Sequence, residues 1–186
     1  MSTVASWRGP LLEQHQERFP AGQLVAVVGA RVVGFSASFV TSSRRALRPH
    51  TFRDITANGT FGSHDPEGDT LYGAEIMVHP SLRRLGIARR FYVRRLRLAR
   101  RLGLRYFVAG GRLPGFEAFA RRMTAKEYVD EVVAGRLEDR VLSVQLKMGL
   151  RVRRVLPGYL SDPRSGNFAT LLVWKNPAWV ASRRRG

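Results

Sequence analysis

The sequence predicts an α/β (α+β) domain: a central mixed, mostly antiparallel sheet flanked by helices. Three observations predict it. Two β-branched runs, 23–28 and 32–40, are separated only by Gly29-Ala30-Arg31 and read as a hairpin. A strand at 71–78, a helical period over 86–102 and a strand at 105–109 form a strand–helix–strand unit, which within one sheet is parallel with a right-handed crossover. Two later runs, 151–156 and 168–174, read as a closing antiparallel pair with Asp162-Pro163 and Ser165-Gly166 in the turn.

Taken in order, residues 1–9 read as a frayed end. Pro10 suits the first turn of a helix over 11–18, and Phe19-Pro20 stops it. After the hairpin, 44–49 is a basic connector without a period. The stretch 51–69 is polar and glycine-rich (Asn58-Gly59, Gly62, Gly68), a long loop with room for one short element. Within it, His50-Thr51-Phe52-Arg53-Asp54 imitates the H-x-x-x-D of a class of two-domain enzymes about twice this length, and a single such spacing in one chain is discounted as chance.

The strand at 71–78 ends in the apolar run Ile76-Met77-Val78. His79-Pro80 breaks it, because proline has no N–H to give a ladder. In the helix that follows, Ala88, Phe91, Tyr92, Leu96, Leu98, Ala99 and Leu102 fall in one arc at about 100° per residue. Most of the arginines lie opposite. Arg95 alone falls inside the apolar arc, so it either snorkels out or meets a buried partner. Gly110-Gly111 follow the next strand. In the long connection 112–140, Thr124-Ala125-Lys126-Glu127 caps a helix to about Ala134, which Gly135 ends. A further helix covers about 138–148 and stops at Gly149. The tail 182–186 is basic, and no internal repeat is present.

The chemistry is concentrated between Ala74 and Gly103. The first amides of a helix have no intrahelical acceptor, and the macrodipole adds positive charge there. Gly86 has no side chain to keep an anion off the backbone, and Ala88 has almost none. A pyrophosphate would be held by the amides of Arg84, Leu85, Gly86, Ile87 and Ala88. No Gly-Lys-Ser/Thr follows, so this is not a Walker loop, and G-x-G-x-x-G is missing, so it is not a dinucleotide fingerprint. An ordinary strand-to-helix connection is the plain alternative.

Arg83-Arg84-Leu85-Gly86-Ile87-Ala88, preceded by Val78-His79-Pro80, resembles the acetyl-CoA motif [QR]-x-x-G-x-[GA] of the GNAT N-acetyltransferase superfamily. From about Gln23 to Pro177 the order of elements is similar to a GNAT domain. LYGAEIMVHP, GGRLPGF and VLSVQLKMGLRVRRVLPGYL resemble, more narrowly, the GNAT domains that precede a carbon–nitrogen hydrolase in some bacterial proteins. The domain division that follows is an N-terminal helix over 1–22, a GNAT domain over 23–177 and a basic tail over 178–186. That hydrolase uses a cysteine nucleophile, so a chain without cysteine is expected to be a free-standing relative or an excised part.

The resemblance implies that the two parallel strands splay apart to admit the pantetheine arm, with Gly110-Gly111 allowing a close approach. It implies acetyl-CoA as donor cosubstrate and a primary amine as acceptor. It further implies that a strand amide at Met77-Val78 polarises the thioester carbonyl and that Arg83 and Arg84 contact the coenzyme phosphates. With no cysteine, direct attack in a ternary complex is the natural route. Glu75, on the motif strand, is the expected base, since burial raises a carboxylate's pKa toward the useful range. The bland reading pairs it with Arg112 as a structural carboxylate. Tyr72 and Asp69 are runners-up, and His79 reads as a surface residue. Glu117, Tyr128, Tyr159 and Trp174 are candidates to line an acceptor pocket, each more ordinarily core or surface.

There are two departures from the family. The first strand and helix look shortened or absent before Leu11. The tyrosine that many members place before the final Gly-Phe, to protonate the leaving thiolate, is replaced by Gln145, counting back from Gly149-Leu150. An amide cannot act as an acid near neutral pH. A coenzyme-binding sensor or accessory domain without turnover is therefore the alternative function.

Composition bounds the rest. The chain has 186 residues, no cysteine and four scattered histidines, which excludes disulfides, thiolate zinc and a cysteine nucleophile and leaves no metal-ligand spacing. Lys and Arg number 32 against 14 Asp and Glu, a formal charge of +18, and lysine stands only at Lys126, Lys147 and Lys175. Such a surplus favours polyanions. Nucleic acid is a lesser reading, because no interleaved aromatic platform accompanies the charge. The most apolar stretch, 24–40, is split by Gly29-Ala30-Arg31, so neither a membrane span nor a signal peptide is expected and cytoplasmic is the default. A homodimer stays open.

Overall fold

The hairpin and the strand–helix–strand unit join into one sheet. The computed structural model describes residues 9–180; the tail 182–186 and residues 1–8 lie outside the described residues. Six strands, β1 (Gln23–Val28), β2 (Arg31–Thr41), β3 (Thr70–Val78), β4 (Tyr106–Arg112), β5 (Arg151–Leu156) and β6 (Ala169–Lys175), lie in the order β1-β2-β3-β4-β6-β5. Only β3 and β4 run parallel, and every other neighbouring pair is antiparallel. The mixed sheet expected from the sequence is therefore present, with α1 (Gly9–Arg18), α2 (Ser43–Ala46), α3 (Phe52–Thr56), α4 (Ile87–Arg101), α5 (Ala125–Val133) and α6 (Leu142–Lys147) around it.

Alternation along the strands builds two cores. Leu71, Phe107, Ala109 and Leu172 pack with Tyr92, Leu96 and Ala99 of α4 and with Tyr128, Val129 and Val132 of α5. A second cluster joins Ala37, Phe39, Tyr72, Val108 and Leu171 to Ile55, Phe61 and Tyr159. Each large apolar side chain so buried contributes about 1.5–3 kcal/mol.

Several expected boundaries shift, each for a local reason. The basic connector contains α2, because the Ser42 hydroxyl accepts from the Arg45 amide and starts a turn of helix. In the long loop, Thr51 and Asp54 form a capping box for α3, so Asp54 of the H-x-x-x-D imitation is spent on a helix cap. The expected helix over 138–148 is confined to α6. Asp139, fully buried, accepts from the Val141 and Leu142 amides at 2.8 and 2.9 Å and fixes the start of that helix. β4 continues past Ala109 to Arg112, since Gly110 and Gly111 stay paired with Leu171 and Thr170 of β6. The glycines serve side-chain packing. A Cβ on Gly110 would strike the Tyr159 ring, and one on Gly111 would strike the Gln145 amide.

Candidate active site

The loop between β3 and α4 is shaped by its backbone. After a short 3-10 turn at Pro80–Leu82, Arg83 is extended, Arg84 takes φ 66° and Gly86 φ 77°. Gly86 is the residue before the first turn of α4, and no side chain caps that end. The first bond of the helix runs from the Arg90 amide to the Gly86 carbonyl at 3.0 Å. The amides of Ile87, Ala88 and Arg89 therefore point outward at the positive pole of the dipole. Alternating φ signs beside a helix start make a nest of N–H groups suited to an anion. The Arg83 side chain folds back, its Nε donating to the Val78 carbonyl at 3.3 Å, while Arg84 and Leu85 are exposed. Gly86 is needed for its backbone angle, because a Cβ there would meet nothing within 4 Å.

Beside this nest the sheet opens. β3 and β4 pair only from Thr70↔Tyr106 to Gly73↔Ala109. Beyond Gly73, β3 keeps its β2 partners, with Glu75 on Ala37, Met77 on Phe35 and Val78 on Gly34, while β4 keeps β6. Ala74 falls in the register shift between Gly73 and Glu75. A bulge bends its strand and ends pairing, which is how β3 leaves β4.

Arg95 holds that bend. It is 1% exposed, and its guanidinium donates to the Ala37 carbonyl at 2.6 Å and to the Glu75 carbonyl. Tyr92 and Phe107 flank it, each ring centroid 5.9 Å away. Of the two fates open to an arginine in the apolar arc, it takes the buried partner. Burial pulls its pKa down to about 10, offset by Tyr92 and Glu75, so it stays charged at neutral pH.

The titratable groups cluster around the mouth of the gap. Glu75 accepts from the Ile76 amide at 3.1 Å. Burial raises its pKa, while Arg112, the Ile76 amide and Arg95 oppose the rise. Arg112, at the end of β4, stands 3.6 Å from the buried Asp162 carboxylate. Tyr72 is fully buried and shares hydrogen bonds of 2.9 Å with the Tyr159 hydroxyl and with His50 Nε2. Burial, then the neighbouring Tyr159, drives the Tyr72 phenol well above 10, so it is unsuited to take a proton at neutral pH. On the α4 side, Gln145 Nε2 donates to the Tyr92 hydroxyl at 2.9 Å.

The structure thus places Glu75, Met77 and Val78 on β3 beyond its last pair with β4, Tyr72 just before that pair, and Arg83, Arg84, Leu85, Gly86, Ile87 and Ala88 in the loop and helix start that follow. Other residues named from the sequence lie elsewhere. Asp69 is occupied at the far end of β3, accepting from the Ser43 amide and hydroxyl at 2.5 and 2.7 Å. Tyr128 donates to Asp139 at 3.0 Å within the core, and Trp174 is buried beneath Arg100. Of the four acceptor-pocket candidates, Tyr159 joins the network at the gap. His79 is exposed, as its place beside a proline implies.

Sequence reasoning named His50 only within a discounted spacing and missed its contact with Tyr72 and the pairing of Tyr92 with Gln145, since neither contact is periodic along the chain. His50 also lines a surface cavity of about 370 Å³ with Arg44, Arg45 and Arg48. Among the described residues no group of three or more His, Asp or Glu could hold a metal ion. No helix of the described residues is long and apolar enough to cross a membrane.

No family model matches the chain. It is 40% identical over 180 residues to the probable hydrolase YhcX of Bacillus subtilis (strain 168), a match covering 96% of this chain and 35% of that protein. It thus spans about a third of that relative's length. To the uncharacterized N-acetyltransferase YkwB of the same organism it is 34% identical over 170 residues, 91% of this chain and 75% of that protein. Among solved structures, the fold is similar to that of the GphF GNAT-like decarboxylase in complex with isobutyryl-CoA, with a TM-score of 0.75, 22% identity and coverage of 91% of this chain and 89% of that one.

Proposed function

This chain belongs to the GNAT N-acetyltransferase superfamily, and we propose that it transfers the acetyl group of acetyl-CoA to a primary amine by direct attack in a ternary complex. The observation that carries this reading is the uncapped start of α4 at Gly86, opening beside the gap between β3 and β4. The diphosphate would lie on the amides from Arg84 to Ala88, with Arg83 and Arg84 beside it. The pantetheine arm would enter the gap, and the thioester carbonyl would accept from the amide at Met77 or Val78. Glu75 would take the proton of the acceptor ammonium, and Tyr72 would brace that wall through Tyr159 and His50. Residues 23–177 would form the transferase domain, with a cytoplasmic setting.

A second reading is a coenzyme sensor with little turnover. It is favoured by Gln145, an amide where thiolate protonation calls for an acid. Titration with acetyl-CoA, followed by thiol release in the presence of a panel of amines, separates the two. The transferase gives saturable binding and amine-dependent thiol, and the sensor gives binding alone. Duplex DNA at two salt concentrations is the control: binding that falls steeply with salt, without saturable coenzyme binding, would overturn both in favour of a polyanion binder.

A further inference from the structure

The side chains that border the gap between β3 and β4 divide by face. Along β4, Val108 belongs to the second core cluster, a Cβ on Gly110 would strike Tyr159 of that cluster, and Arg112 is paired with its Ala169. Along β3, Glu75 is paired with Ala37 of the same cluster. Partners across a ladder share a face. Glu75 and Arg112 therefore both point away from α4, one from each lip of the gap. An acceptor whose ammonium reaches Glu75 brings its neighbouring atoms toward Arg112.

Arg112 has bonding capacity to spare. Its Nη1 is buried and has no hydrogen-bond acceptor among the described residues. Its ion pair is with Asp162 rather than Glu75, at 3.6 Å, outside hydrogen-bond reach, and that Asp162 oxygen accepts from the Ser165 hydroxyl at 2.7 Å. Every nitrogen of a guanidinium is a donor, so no reassignment of its atoms supplies the missing acceptor. A buried donor left unpaired is costly, and the side chain, 29% exposed, is open to an arriving oxygen. The same face carries Arg44, Arg45 and Arg48 around the cavity at His50, against the single carboxylate of Asp54. These charges disfavour a polycationic acceptor and favour one with a negative group. We propose that the acceptor is a free amino acid, its carboxylate held by Arg112 while its ammonium gives a proton to Glu75. The proposal rests on the acetyl-CoA reading above and names the acceptor class for that site.

A carboxylate on one lip and a guanidinium on the other match the ammonium and carboxylate of a zwitterion. Having given one proton to Glu75, the nitrogen bonds to the acetyl carbon and the carbon–sulfur bond breaks. Sulfur leaves with the electron pair and gains, through solvent, the second proton that nitrogen sheds. Glu75 returns its proton to solvent. The products are the N-acetyl amino acid and the free thiol, and the carboxylate on Arg112 is unchanged throughout.

The test compares acceptors that differ only at that carboxylate. Under saturating acetyl-CoA, thiol release is measured for glycine, leucine, phenylalanine and glutamine, each against its own amide. The amide's amine is less basic and more readily deprotonated, so reactivity alone favours the amide. Arg112 reverses that order, giving at least one acid a kcat/KM about tenfold or more above its amide. Arg112→Gln brings that ratio to about one or below. Arg112→Lys, which keeps the charge without the fork, retains part of it and serves if the first variant folds poorly. Losing Arg112 also lifts the Glu75 pKa, which slows every acceptor alike and cancels in the ratio. If the coenzyme binds without turnover, calorimetry of the CoA-saturated protein with the same pairs reads the ratio as affinity. Wild-type preference for the amides, or a ratio that Arg112→Gln leaves unchanged, overturns the proposal and leaves the coenzyme reading intact. Succinyl-CoA outrunning acetyl-CoA with a plain amine places the carboxylate on the donor and overturns it too. Failure of acetyl-CoA to saturate the wild-type protein removes the coenzyme reading, and the proposal with it.

Discussion

Burial raises the Glu75 carboxyl above the ordinary carboxylate range, and the nearby Arg112 guanidinium, 29% exposed, is the largest opposing influence. A base works only when deprotonated. kcat/KM is therefore expected to climb with pH through a limb lying above about 4.3. Glu75→Gln removes that limb and lowers kcat/KM by about 100-fold or more, with acetyl-CoA affinity unchanged. A variant that keeps both rate and limb would leave Glu75 as the structural partner of Arg112. The same desolvation raises Tyr72, with the opposite consequence for its use as a base. A phenol held protonated well above 10 can hand on a hydrogen bond but cannot collect a proton.

At the scale of elements, two helix starts decide the geometry of the gap. α4 begins at a glycine with φ 77°, an angle that costs other residues about 1–2 kcal/mol. Gly86→Ala should relieve that strain by turning the first amides away from the anion. The expected result is about tenfold weaker acetyl-CoA binding, a loss of about 1.4 kcal/mol, measured by calorimetry. Unchanged affinity would show that those amides do not hold the coenzyme. α6 begins at buried Asp139, which also accepts from the Gly115 amide at 2.9 Å and from Tyr128 at 3.0 Å. Asp139→Ala strands four donors and should cost about 3 kcal/mol or more. Urea unfolding checks it, and a midpoint within error of wild type would refute this role.

Across the whole molecule, three histidines are held neutral. His15 is fully buried and stacks on Phe61 at 3.7 Å, His50 meets Tyr72, and His64 bonds the Val40 carbonyl at 3.2 Å. Desolvation lowers the pKa of each. The unfolded chain then binds more protons than the folded one once pH drops below about 6.5, so stability present above that value is lost toward the depressed folded values. Glu75 acts oppositely, favouring the fold as it protonates, but it is one group against three. The melting temperature should fall between about pH 7.5 and 5.5, and a flat or rising profile would contradict the assignment. The formal charge of +18 adds self-repulsion that salt screens, so the scan belongs at fixed ionic strength.

Local pattern alone determined the hairpin, the strand–helix–strand unit, the capped helix at Thr124 and the helix start at Gly86, because each is written in contiguous residues through period, capping chemistry or a required φ. It also flagged Arg95 as misplaced on an apolar face and marked the amides from Arg84 to Ala88, while Glu75 and Arg83 were named through the family resemblance. Only the tertiary structure decided what Arg95 does, where β3 parts from β4, and that Tyr92 meets Gln145 while His50 meets Tyr72. Those contacts join residues 22 and 53 positions apart, and no local periodicity encodes them. They are set by how the helices and loops pack on the sheet, just as the parting of β3 from β4 is set by the bulge at Ala74.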